Sequence, residues 1–344
     1  MQKRFRRVAK IALFIVYLVV IAGAIVRMTG SGMGCPDWPK CFGYYVPPTN
    51  IDALLWKPNK DFKKGQIIIV NEALKVATEN FTTADKFNPK NWKDYTKHDY
   101  ALFNPIRTWI EYINRLVTVI LGIPILIMLI LSFFLRKENK KITIFSCLTL
   151  FVILIQAVLG KLVVDTNLKP VMITIHMMIT FIIIGLLLYL IFISADKKQK
   201  ITFDSITKNV LLIGITLTFI QVFIGTQVRQ FVDLQVIALG ENAHHLWLKD
   251  PTIQFYIHRS FSILVVLLNT YLAFRIYKLN LGLKKINWVL LLIAVEILSG
   301  IAMYYIDFPF GTQPLHLVIA SLLFGAQFYL VLEVLKAAKN HKTL

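Results

Sequence analysis

Charge is scarce in this sequence, at 17% of 344 residues, where a soluble domain carries about a quarter. That shortage excludes the pair of soluble domains that length alone would suggest. Cysteine is scarcer still: three residues are too few to frame a disulfide-built fold. Acidic residues are half as frequent as basic ones, 19 against 38. Disorder is excluded from the other side, because 12% of the chain is aromatic. What the chain has in excess is apolar residues, 56%, with a mean hydropathy of +0.63. They come in blocks that no soluble core needs, so the composition is that of a polytopic membrane protein. A net charge of +19 would suggest nucleic acid in a soluble chain. Here the basic residues gather at the edges of apolar blocks, so the anionic partner is membrane lipid and no nucleic-acid partner is expected.

A membrane helix needs about 20 mainly apolar residues. Eight stretches qualify, at roughly 9–28, 108–135, 142–164, 171–194, 208–229, 253–277, 286–306 and 315–336. The short alternating segments of a β-barrel are absent from the pattern. The expected fold class is an all-α membrane protein of eight transmembrane helices. A long outer loop, 29–105, follows the first span, and the later connections are short except for 230–251.

Orientation follows the Lys/Arg bias. Lys3, Arg4, Arg6, Arg7 and Lys10 precede the first span, and Arg136, Lys137, Lys140 and Lys141 fill the next same-side loop. Lys197, Lys198, Lys200, then Lys278, Lys284, Lys285, then Lys336, Lys339 and Lys342 continue the series. The short opposite loops hold little more than Lys169 and Lys249. Both termini are therefore expected in the cytoplasm. The Lys-rich 29–105 loop does not overturn this, since loops beyond about 60 residues escape the rule. The first run follows its basic residues like a signal peptide, but no A-x-A-like site follows it. No Arg/Ser-rich presequence is visible, and the bacterial plasma membrane is the simplest address.

The chain repeats itself. Glu111-Tyr-Ile-Asn-Arg115 opens the second span and Phe255-Tyr-Ile-His-Arg259 the sixth. Gly23-Ala-Ile-Val-Arg27 closes the first and Gly225-Thr-Gln-Val-Arg229 the fifth. Gly160 and Gly300 hold matching places, each sixteen residues before a histidine, His176 and His316. The expected organisation is two parallel four-helix repeats, 1–200 and 201–344. Parallel repeats also build transporters, so the repeat alone names no function.

Of the seven histidines, His98, His244, His245 and His341 fall in loops or the tail and read as surface residues. His176, His258 and His316 each lie within about two turns of the outer end of a span. Ionisable residues there are functional candidates by default. Two histidines on separate helices can clamp a haem iron from both faces; the bland alternative is hydrogen bonding to a neighbouring helix. A zinc site would want four tetrahedral ligands, and Cys147 lies at the wrong level. Arg27, Arg115, Arg229 and Arg259 share the outer level, where their forks suit haem propionates or snorkel to lipid headgroups. Glu111 lies one turn before Asn114, on the same face. An apolar setting would fit it as a proton acceptor. Phe255 takes its place in the other repeat, so the repeats differ chemically.

Cys35-Pro-Asp-Trp-Pro-Lys-Cys41 follows the first span on the outer side, where disulfides are permitted. Two prolines make its loop tight. The pair is either a loop staple or a redox-active thiol couple.

Taken together, these residues resemble the haem A synthase family, from about residue 8 to 336. The resemblance rests on Gly23-x-x-x-Arg27-x-Thr-Gly-Ser-Gly32, the Cys pair and Glu111-x-x-Asn114-Arg115. It continues with Gln156-x-x-x-Gly160 ahead of His176, Ile257-His258-Arg259, and Gly300 ahead of His316. It implies an enzyme that oxidises a ring methyl of haem O, its substrate, to the formyl group of haem A for cytochrome oxidase. The family's reaction is described as successive hydroxylations, with the counterpart of Glu111 essential. The resemblance also implies a permanent haem b held by His258 and His316, and a substrate site near His176 and Glu111. Haem O synthase and an electron acceptor are the implied partners. Two departures stand out: the family commonly has His where this chain has Asn114, and some members carry a second Cys pair in the 230–251 loop. Without a His at 114, the substrate iron is either five-coordinate on His176 or takes water or an outer-loop His on its other face. The competing readings are a b-type cytochrome that only transfers electrons, which needs no acid, and a transporter, which would break helices at mid-membrane.

Overall fold

The computed structural model describes residues 1–96, 102–195 and 201–342. His98 and the Lys197, Lys198, Lys200 cluster lie outside the described residues. Eight long helices carry the fold: α1 Gln2–Met28, α2 Pro105–Phe134, α3 Lys140–Asp165, α4 Pro170–Ile193, α5 Ser205–Leu239, α6 Ile253–Lys278, α7 Ile286–Tyr305 and α8 Thr312–Lys342. All eight are long and apolar enough to cross a membrane. Their outward side chains, among them Phe14, Val119, Phe151, Leu267 and Trp288, are exposed, as lipid-facing surface requires.

Local sequence sets the ends. Pro105 and Pro170 open α2 and α4, where a missing N–H costs nothing. The Asp204 carboxylate caps α5 by accepting from Thr207 N at 2.8 Å, and it holds both Arg275 Nε and Nη2, at 2.8 and 3.0 Å. That charged pair, together with the cap, draws the Asp204 carboxyl well below the usual range.

α5 departs from the sequence reading, in which the span stops near 229. It runs ten residues further, because Leu234, Val236, Ile237 and Leu239 keep the chain apolar until Gly240, at φ 92°, releases it. At 35 residues it is about 52 Å long, too long to lie wholly within a hydrocarbon layer of about 30 Å.

The chain divides into two compact units, Met1–Tyr17 with Leu121–Ile153 and Met177–Leu344, and Leu18–Ile120 with Leu154–His176. In the first, α8 packs on α5 and α7, and α5 on α6. Leu211, Leu272, Ile286, Val289 and Leu330 form the core. A buried amide pair joins α6 to α8, Gln327 Nε2 donating to Asn269 Oδ1 at 3.0 Å.

The second unit contains a feature with no signature in the hydropathy. Between α1 and α2 the connecting segment folds into two small antiparallel sheets, β1 (Asp61–Phe62) with β4 (Phe81–Thr82), and β2 (Ile67–Val70), β3 (Ala73–Ala77) and β5 (Trp92–Asp94) in the order β2-β3-β5. Asn71 and Glu72, both at positive φ, close the β2–β3 hairpin as a two-residue turn. Alternate residues of β2 serve two cores. Ile67 and Ile69 face Cys35, Cys41, Phe42 and Leu54. Ile68 and Val70 face Phe62, Trp92, Trp56 and Phe87. Phe62 and Phe81 meet Trp92 edge-on, with ring centres 5.0 and 5.2 Å apart.

Trp92 is therefore expected to hold this segment. Trp92→Ala should cost about 3–5 kcal/mol of local stability, read as faster limited proteolysis between residues 56 and 95. Wild-type cleavage rates would show that the aromatic core is not what holds the sheets.

Candidate functional site

Two polar constellations lie near helix ends, one in each unit. The first is built on α2. Glu111 is 4% exposed. Its Oε2 accepts from Cys35 N at 2.8 Å, and its Oε1 takes a hydrogen bond from Arg115 Nη2, one turn along the helix. Arg115 Nη1 donates to the carbonyls of Asp37 and Lys40, at 2.7 and 2.8 Å. Cys35 and Cys41 are joined in a disulfide and are buried. The backbone of this loop touches α2 so closely that a Cβ at Gly34 would stand 2.5 Å from the Arg107 carbonyl oxygen. Thr108 Oγ1 adds a bond to Gly34 O at 2.7 Å.

This setting differs from the apolar one expected for Glu111. The acid is gripped on both oxygens, because Arg115 at i+4 reaches it and the disulfide loop offers a free N–H. The i,i+4 spacing of Glu111 and Arg115 was the available signal. Asp37, in the same loop, accepts from Gly43 N at 2.9 Å. Burial pushes its carboxyl up, opposed by the N–H groups of Gly43 and Phe42 and by the Arg115 charge.

Asn114 lies one turn from Glu111. Its Oδ1 is buried with no hydrogen-bond partner among the described residues, and a Cβ at Gly23 of α1 would come within 3.8 Å of it. On α4, His176 has its backbone carbonyl held by Gln156 Nε2 at 2.9 Å, and its ring lies against Gly160 of α3. Arg27 lies in the last turn of α1.

The second constellation joins α5, α6, α7 and α8. The rings of His258 and His316 face each other with centres 6.4 Å apart and planes at 68°. Gly225 of α5 backs His258, where a Cβ would stand 3.0 Å from the ring, and Gly300 of α7 backs His316. His316 Nδ1 contacts Glu296 Oε2 at 2.6 Å and Ser299 Oγ at 2.8 Å. Gln221 Nε2 donates to the His258 carbonyl at 2.9 Å. Arg229 pairs with Asp233 at 2.8 Å and bonds Gln313. Arg259 is exposed. Sequence reasoning missed Glu296, Ser299, Gln221 and Gln313; a carboxylate inside the seventh apolar run was signal enough for Glu296.

The pair fits a haem. Two metal–imidazole bonds of about 2 Å each, plus the inner half of each ring, place the ring centres about 6 Å apart across a shared iron. The 6.4 Å observed matches that span. Two histidines on separate helices are a donor set that suits a macrocycle supplying its own equatorial nitrogens. His244 and His245 are exposed, His244 lying over Trp247, as their surface reading expects.

The fold is that of a multi-pass α-helical membrane protein. Residues 6–328 match the family model COX15-CtaA, cytochrome oxidase assembly protein, and the chain belongs to that family. It is similar to heme A synthase of Wolbachia pipientis wMel, 23% identical over 91% of this chain and 88% of the relative. With heme A synthase of Bacillus licheniformis, identity is 24% over 97% of each. With that of Shewanella oneidensis it is 25% over 63% of this chain, which spans about half, 54%, of that relative's length.

Arg115 is expected to act as the clasp between α2 and the disulfide loop. Arg115→Lys keeps a charge beside Glu111 but loses the fork, at about 1.5–3 kcal/mol for the charged hydrogen bonds. Hydrogen exchange at residues 34–43 should quicken. Wild-type protection there would mean that the loop holds itself.

Proposed function

We propose that the chain acts as a haem A synthase of the bacterial plasma membrane, oxidising a ring methyl of haem O to a formyl group for cytochrome oxidase. The observation that carries the reading is the His258–His316 pair, facing across α6 and α8 at the spacing of two axial ligands, in a chain of this family. These two residues would hold a haem b, which supplies one-electron transfer when bound. The matching histidine of the N-terminal half, His176, would hold the substrate iron from one face. Asn114 is a poor iron ligand, but its unpartnered Oδ1 suits a bound water on the other. Arg27, Arg115, Arg229 and Arg259 are the propionate candidates; Arg115 and Arg229 are each also engaged by protein groups on both terminal nitrogens.

Glu111 is the catalytic candidate. Methyl oxidation releases protons, and a carboxylate fixed beside the substrate can accept them. Arg115 and Cys35 N hold its oxygens in one orientation, so the reacting geometry is set before substrate arrives. In this reading the Cys35–Cys41 bridge is a staple that keeps the Cys35 N–H in place. Glycines support the repeat: Gly23 beside Asn114 answers Gly225 beside His258, and Gly160 beside His176 answers Gly300 beside His316. The repeats would then be 1–200 and 201–344, with both termini in the cytoplasm. With water supplying the formyl oxygen, the methyl carbon gives up its protons and electrons; the electrons leave to an acceptor outside the chain, and haem O synthase is the natural source of substrate.

His258→Ala and His316→Ala should each abolish the low-spin b-haem absorbance of the purified protein; two wild-type spectra would sink the ligand assignment. Glu111→Gln should keep that spectrum while haem O accumulates, with turnover down about 10²–10⁴-fold. Normal haem A output from Glu111→Gln would instead favour a chain that only carries electrons.

A further inference from the structure

The seventh helix carries a carboxylate that the proposed reaction does not use. Glu296 Oε2 lies 2.6 Å from His316 Nδ1, and Ser299 Oγ lies 2.8 Å from the same nitrogen. The Ser299 hydroxyl donates its own proton to the Glu296 carbonyl at 2.9 Å, so at Nδ1 its oxygen accepts. Both neighbours therefore draw on the Nδ1 proton, and Nε2 is left as the lone-pair nitrogen. A carboxylate behind a ligating imidazole fixes its tautomer and raises its basicity. Glu296 Oε1 is buried with no hydrogen-bond partner among the described residues. A carboxylate inside a span is unfavourable unless something uses it.

His258 is placed differently. His258 Nδ1 is buried without a hydrogen-bond partner among the described residues, and Gln221 reaches only its backbone carbonyl. At His176 the side chain at the place of Glu296, four residues before the glycine, is Gln156, which bonds the His176 backbone carbonyl. Leu159 stands where Ser299 does.

We propose that Glu296, seconded by Ser299, is the positioning residue that makes His316 the strongly donating ligand of the b-haem and sets that haem's reduction potential low. The proposal rests on His258 and His316 being the haem ligands. A carboxylate sharing the ligand's proton places negative charge next to the iron. That charge favours the ferric form over the ferrous one, which makes the reduced haem a stronger electron donor.

The test is a spectroelectrochemical titration of the purified, haem-loaded full-length protein. Glu296→Gln keeps a hydrogen-bonding group of the same size and removes the charge. At a fixed applied potential it should move the ferrous-to-ferric ratio about tenfold toward ferrous, an upward shift of about 59 mV for one electron. Ser299→Ala should shift it less, in the same direction, and Glu296→Asp should restore part of the wild-type value. An unshifted midpoint in haem-bound Glu296→Gln overturns the proposal. If that variant does not accumulate, wild-type midpoints in both Ser299→Ala and Glu296→Asp overturn it equally. Failure of the underlying ligand reading looks different: His316→Ala would then keep a low-spin b-haem spectrum.

Discussion

A ring as polar as imidazole finds no water in the hydrocarbon core, so helices that carry one must leave room for it and satisfy it from within. Glycine provides the room. Each of the three intramembrane histidines lies against a glycine of a neighbouring helix, Gly160 for His176, Gly225 for His258 and Gly300 for His316. At Gly225 the constraint is tightest, because any Cβ would meet the His258 ring at 3.0 Å. These close approaches fix which helices are neighbours and at what level. The polar residues that complete each site follow from them: Gln156 lies one turn from Gly160, Gln221 one turn from Gly225, and Glu296 one turn from Gly300.

The segment between α1 and α2 is held to α2 by a different device. The Cys35–Cys41 loop has a sheet on one side, where Ile67 N donates to Phe42 O at 3.1 Å, and α2 on the other, where Glu111 and Arg115 hold it. The hydroxyl of Tyr95, just past β5, also donates to Pro36 O. A carboxylate on a membrane helix is thereby connected through one loop to a water-exposed β-structure. Residues 44–96 thus press the disulfide loop onto the acid.

The eight spans were legible because hydrocarbon imposes length and hydropathy directly on sequence. That His176, His258 and His316 lie within such helices was legible for the same reason. The continuation of α5 to Leu239 was not, because hydropathy falls where a helix leaves the membrane while backbone hydrogen bonding does not stop. The small sheets were hidden by brevity: two to five residues per strand give no period to count. The grip of Arg115 on the loop carbonyls was hidden because its partners are backbone oxygens, which every residue has. Glu296 was visible as a carboxylate in an apolar run, but its contact with His316 joins α7 to α8, and no spacing within one helix reveals that.

The two halves share a glycine–histidine frame and differ in what surrounds it. In the first constellation the Gln156 amide holds the His176 backbone, and the Glu111 carboxylate is turned to the disulfide loop and Arg115. Around His316 the carboxylate is applied to the ring itself. In the proposed reading these are two uses of the same scarce resource, a negative charge inside the bilayer. One stands beside the place where a carbon is oxidised and accepts its protons. The other is coupled to an iron that keeps both ligands and only exchanges electrons.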